Sequence, residues 1–72
     1  MTNTAELELL IKKSGLKKGY IAKALGISRQ ALAKKIKNES VFTATEIAIL
    51  CDLLKITSLV VRDRVFFAQK VI

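Results

Sequence analysis

The sequence has no histidine, no proline and no tryptophan, and among its 72 residues there is one cysteine, Cys51. Without histidine and with a lone cysteine, the chain can build neither a disulfide framework nor a zinc finger, and every histidine-dependent catalytic arrangement is excluded. No cofactor, no metal set and no enzymatic activity are expected. The missing proline and the scarcity of glycine (three residues) argue against a turn-rich sandwich or barrel. Ala, Leu, Ile and Lys dominate instead, and they favour helices. Long apolar runs are also lacking. The longest is Ile47–Cys51, far short of the ~20 residues a membrane span needs. The opening MTNTAELE is polar and acidic, unlike a signal peptide. A soluble, cytoplasmic domain with no membrane partner is expected.

What is present in quantity is apolar side chain and positive charge. Hydrophobic residues make up 51% of the chain, ample for a core and too many for a disordered tail. One domain over residues 1–72 is the expectation, burying roughly 60% of its unfolded surface. The net charge is +7, from 13 cations against 6 acids, and its distribution matters more than its size. Nine cations lie between Lys12 and Lys37, and that block holds no acid. Glu6, Glu8, Glu39, Glu46, Asp52 and Asp63 all fall outside it. A block of one sign repels itself unless an anion meets it, which in a folded chain points to nucleic acid.

Capping residues and apolar spacing divide the chain into helices. Asn3-Thr4-Ala5-Glu6 has the spacing of a capping box and predicts a first helix carrying Leu7, Leu10 and Ile11 on one face. Gly15 ends it in a left-handed cap with Leu16 packing back. Leu9 falls at the edge of that stripe or outside it. A second helix is expected from Lys18 to Leu25, with Ile21, Ala22 and Leu25 inward. Gly26 turns the chain and Ser28 caps a third helix, Arg29 to about Lys37, which buries Leu32 and Ile36. Thr43-Ala44-Thr45-Glu46 repeats the capping box and opens a fourth helix lined by Ile47, Leu50, Cys51 and Leu54. Cys51 on that stripe reads as core. Lys55 suits its C-terminal end. Ser58 caps a fifth helix reaching Arg62 or Arg64. The last segment, VFFAQKVI, is open between helix and a short extended stretch.

The informative unit is KKGYIAKALGISRQALAKKIKN, residues 17 to 38. A small Ala22 lets two helices approach closely, Gly26 takes the positive φ of a tight turn, and Ile27, Leu32 and Ile36 tie the third helix to the first two. On that third helix Arg29, Gln30, Ala33, Lys34 and Lys37 fall within an arc of roughly 140°, apart from Leu32 and Ile36. Arg29 and Gln30 occupy the first turn, where a recognition helix meets base edges. Arginine suits guanine and glutamine adenine, each through two hydrogen bonds. Ala33 permits close approach or touches a thymine methyl. Lys17, Lys18 and Lys37 are placed for phosphates, which fix register. Ser28 serves equally as N-cap or DNA contact. Tyr20 reads as a core-edge residue, with a phosphate contact through its hydroxyl as the alternative.

On these residues the chain resembles the helix-turn-helix of the Cro/CI class of phage regulators. ALGISRQALAKKIKN is similar to that motif from the turn through the recognition helix. The CDLLKITS and VFFAQKVI segments extend the likeness to the small Cro-like proteins of temperate phages of Gram-positive bacteria, the modulator-of-repression type above all. The resemblance implies a compact, all-α, five-helix domain in the bacterial host cytoplasm. It also implies a CI-type phage repressor as partner and a genetic switch pushed toward lytic growth. Some such proteins bind operator DNA, whereas antirepressors bind the repressor itself. Gly19, inside the second helix, departs from the pattern at a cost of about 1 kcal/mol.

Two functions therefore stand side by side, repressor binding favoured and direct operator binding the alternative. The basic block argues for DNA. For a protein partner, the apolar residues Leu9, Val60, Val61, Phe66, Phe67, Val71 and Ile72 exceed what one small core readily hides. A surface that masks a basic repressor would draw on acids and apolar groups, here Glu6, Glu8, Leu9, Glu39, Asp63, Phe66 and Phe67. The same surplus would serve a homodimer spanning two half-sites about 34 Å apart. The alternative for Phe66 or Phe67 is to plug the core.

Overall fold

Five helices follow one another through residues 1–68, the part of the chain that the structure, a computed structural model, describes. They are α1 (Thr4–Ser14), α2 (Lys18–Leu25), α3 (Arg29–Ile36), α4 (Ala44–Leu53) and α5 (Leu59–Phe66). No strand occurs among the described residues. The helical half of the VFFAQKVI alternatives therefore holds for Val65 and Phe66, while Val71 and Ile72 lie outside the described residues. No helix is long and apolar enough to cross a membrane.

Local chemistry sets most of the boundaries. Asn3, Ser28, Thr43 and Ser58 each accept a backbone N–H from the first turn of their helix, satisfying donors that would otherwise be orphaned. Gly15 and Gly26 close α1 and α2 in the left-handed region, at φ 74° and 72°, where any other residue would be strained. The fifth helix runs to Phe66, beyond the Arg62 or Arg64 expected from sequence.

One of the two expected capping boxes does not form. At α4 the box is complete: Glu46 N–H donates to Thr43 Oγ1, and Glu46 Oε1 accepts from Thr43 N–H at 2.9 Å. At α1 only the Asn3 half exists. The Asn3 N–H that Glu6 would have capped is taken by Val65 O at 2.6 Å. Glu6 turns instead to Arg64, whose Nε lies 2.9 Å from its Oε1.

The core joins all five helices. Leu7 and Ile11 of α1, Ile21 and Ala22 of α2, Leu32 and Ile36 of α3, Ile47 and Leu50 of α4, and Val65 and Phe66 of α5 are buried together with Phe42 and Leu54. Phe42 meets Phe66 edge to face, with ring centroids 5.7 Å apart. The near-absence of exposure at Ala22 (2%) fits its place in the tightest part of the packing. No buried side-chain nitrogen or oxygen among the described residues lacks a partner.

A latch joins the N-terminal segment to distant parts of the chain. Asn38, at φ 66°, accepts from Thr2 N–H at 2.7 Å and donates to Thr2 O at 2.8 Å. Thr4 Oγ1 donates to Ile36 O, and Ala68 N–H donates to Met1 O at 2.8 Å. Residues 1–4 thus bind the end of α3 to the end of α5.

Candidate nucleic-acid interface

The α2–turn–α3 unit presents the residues the sequence singled out. Ile27 N–H donates to Ala22 O at 3.0 Å, and Ile27 packs partly buried against the core. That folds the turn back under α2 and orients α3. With Leu32 and Ile36 turned inward, Arg29, Gln30, Lys34 and Lys37 are exposed and Ala33 is half-buried between them. Ser28 Oγ accepts from Ala31 N–H at 3.0 Å. Its N-cap role is therefore filled, and its hydroxyl proton remains able to donate outward.

The lysines of the basic block have different surroundings. Lys18 Nζ lies 2.8 Å from Glu8 Oε1 with both side chains largely in water, an ion pair worth little. Lys35 is enclosed: its Nζ is 2.7 Å from Glu46 Oε1, donates to Val41 O at 3.1 Å, and stands 6.0 Å from the Phe42 ring centroid. Burial pushes the Glu46 carboxyl up, but the hydrogen bonds from Lys35 and Thr43, with the Lys35 charge, outweigh it and hold the carboxyl below its ordinary value. Among the described residues, Lys17, Arg29, Lys34 and Lys37 have no carboxylate at ion-pair distance. Together with Lys23 of α2, which is exposed and likewise in no ion pair among the described residues, they are the open cations of the unit.

Sequence reading treated Gly19 as a cost and missed its use. A Cβ on Gly19 would fall 2.7 Å from Arg29 Nε and 2.8 Å from its Nη2. The Arg29 guanidinium therefore lies back over the first turn of α2. A glycine inside a helical pattern signals close approach, and that was the available clue.

The residues named for a protein partner fare unevenly. Leu9 and Phe67 are half exposed (50% and 51%), and Glu39 is exposed in the α3–α4 loop. Phe66, at 4% exposure, is core and offers nothing to a partner: the edge-on contact with Phe42 consumes it. Val61 is likewise half-buried against the core, whereas Val60 and Leu59 stay in solvent. Glu6 is paired with Arg64, Glu8 with Lys18, and Asp63 with its neighbour Arg62 at 3.0 Å. Three of the four expected acids are thus already neutralised within the domain. Glu6 faces α5 and Glu8 faces α2, so they do not form one acidic surface.

Phe67 and Leu59 border a groove of about 320 Å³ between α4 and α5, floored by Ile47 and Cys51. Burial pushes the Cys51 thiol up, offset in part by the charge of Arg62. At neutral pH it is a thiol without nucleophilic character. No group of three potential metal ligands occurs among the described residues. Compared with known proteins, the chain matches no family, no curated protein and no solved structure.

Proposed function

We propose that the chain is a non-enzymatic helix-turn-helix regulator of a phage lysis–lysogeny switch. In this reading it works in the host cytoplasm, binds a CI-type repressor and alters that repressor's hold on its operators. The observation that carries the partner role is the apolar surface left over once the core is complete. Leu9, Leu59, Val60 and Phe67 remain half or more exposed although every helix already contributes to a closed core. Apolar surface of that extent on so small a domain marks an interface. Leu59 and Phe67 border a groove lined by α4, α5 and the segment between them, where the one lining cation among the described residues, Arg62, is paired with Asp63.

The second reading, direct binding of operator DNA, is favoured by a different observation. Arg29, Lys34 and Lys37 share the exposed face of α3 with Gln30 and have no carboxylate partner among the described residues.

Mixing the protein with its cognate repressor on a size-exclusion column and in a mobility shift separates the two. For repressor binding, a stable complex forms, Leu9→Ser or Val60→Ser weakens it, and Lys34→Glu does less. For operator binding, the ranking reverses, because counterion release belongs to the lysines. No complex, together with tight specific binding of DNA by this chain alone, overturns the first reading.

A further inference from the structure

Arg29 opens α3, yet its guanidinium rests on α2. From the seat against Gly19, Nε and Nη2 sit where a Cβ at position 19 would come within 2.7 and 2.8 Å. Glycine alone among the residues permits this. We propose that Gly19 is a positioning residue for Arg29, and that Arg29 so seated grips a backbone phosphate of DNA and does not read a base edge. The proposal rests on the operator-binding reading above and narrows it.

Three observations lead there. A base-reading arginine must extend ahead of its helix with its planar fork free to meet guanine, and here the fork is drawn back along the preceding helix. The seated guanidinium has no carboxylate partner of its own. Lys17 and Lys18 precede Gly19 in the chain, with Lys17 unpaired among the described residues and Lys18 held by Glu8. Helix α2 has no acid in its first turn and no side-chain cap, and no carboxylate pairs with Arg29 among the described residues. A seated guanidinium with no carboxylate partner among the described residues is open to an external anion, and a phosphate satisfies it. Gln30, next on the exposed face, is left as the first residue of α3 that reaches a base.

The seat can be removed without harming the fold. The atoms an added Cβ would meet belong to the far end of a flexible side chain, so Gly19→Ala moves the guanidinium and leaves the backbone in place. Alanine is also the better helix former. The variant should melt no earlier than the parent.

The test uses the full chain, isotope-labelled for NMR, and a pool of duplexes of about 20 base pairs, two helical turns, with randomised centres. In the parent, the Arg29 Nε proton should show a nuclear Overhauser contact to the Gly19 α-protons. Arg29→Ala should weaken binding to all duplexes alike, lower the logarithmic salt slope by about one, and leave the selected consensus unchanged. Arg29→Lys should restore most of the affinity, since a point charge suffices for a phosphate. Gly19→Ala should give a smaller uniform loss, about threefold, with the consensus again unchanged. Gln30→Ala should change the consensus.

A consensus altered by Arg29→Ala overturns the phosphate role while leaving operator binding intact. A parent with no Arg29–Gly19 contact overturns the positioning role of Gly19. Failure of the parent to bind any duplex removes the operator reading and the phosphate role with it. That failure is told apart from the others because the NMR contact persists.

Discussion

Lys34 and Lys35 are consecutive on α3 and belong to two different regions of the molecule. Lys35 lies at the junction with α4, paired with Glu46 and bonded to Val41 O. Lys34 stands on the open face with Arg29 and Lys37 and has no carboxylate partner among the described residues. The first ties α3 to the start of α4 and to the loop between them. The second is available to an anion. A count of charges along the sequence treats them alike, and only the fold separates a structural lysine from a binding one.

The largest effect should come from breaking the junction. Glu46→Ala removes both the completed capping box and the partner of an enclosed ammonium. Losses of about 1 kcal/mol for the cap and several for an orphaned, mostly buried charge are typical. Urea unfolding should show a loss of roughly 2–4 kcal/mol, a large share of what a domain this size has. Ala22→Leu should follow, at about 1–3 kcal/mol from overpacking between α2 and its neighbours, read from a thermal melt. An unchanged melting temperature would mean that Ala22 has room, contrary to its burial.

The junction also predicts a pH dependence that the open face does not. Glu46 is held below its ordinary pKa in the folded protein. Its contribution is therefore fully present above the unfolded value, near 4.5, and is lost as pH falls through the lower folded value. The stability gap between the parent and Glu46→Gln should be widest near neutrality and close in acid. A gap that widens on acidification would reverse the sign of the shift. The smallest effect on stability belongs to Lys34→Ala, within about ±0.5 kcal/mol. Its signature on the operator-binding reading is a salt slope lower by about one in a mobility shift.

The helices were legible because caps and apolar spacing are local. Asn3, Ser28, Thr43 and Ser58 cap where sequence places them, and Gly15 and Gly26 turn the chain as expected. What escaped depends on partners far along the chain. Glu6 has the spacing of a capping box but answers to Arg64, 58 residues away. Phe66 and Phe67 are adjacent aromatics, and only the position of Phe42 decides that Phe66 goes inward. Of the candidate site, the exposed face of α3 follows from helical periodicity. The seating of Arg29 on Gly19 does not, because it needs the relative placement of two helices. The neutralised state of Glu8 and Asp63 likewise requires knowing which cations the fold brings near.

The latch at Asn38 bears on the order in which the chain can fold as it is made. Residues 1–4 are made before their partners, Asn38, Ile36, Val65 and Ala68. The start of α1 must therefore wait with its Asn3 N–H unmatched until Val65 has emerged. Bringing such distant segments together carries a loop-closure cost that grows only slowly with length, so the delay is set by synthesis and not by the search. Helices α2 to α4, whose contacts are closer in sequence, can assemble earlier. The N-terminal segment then acts as the last clasp, and a chain stalled before Val65 should expose α1 to proteases that the finished domain resists.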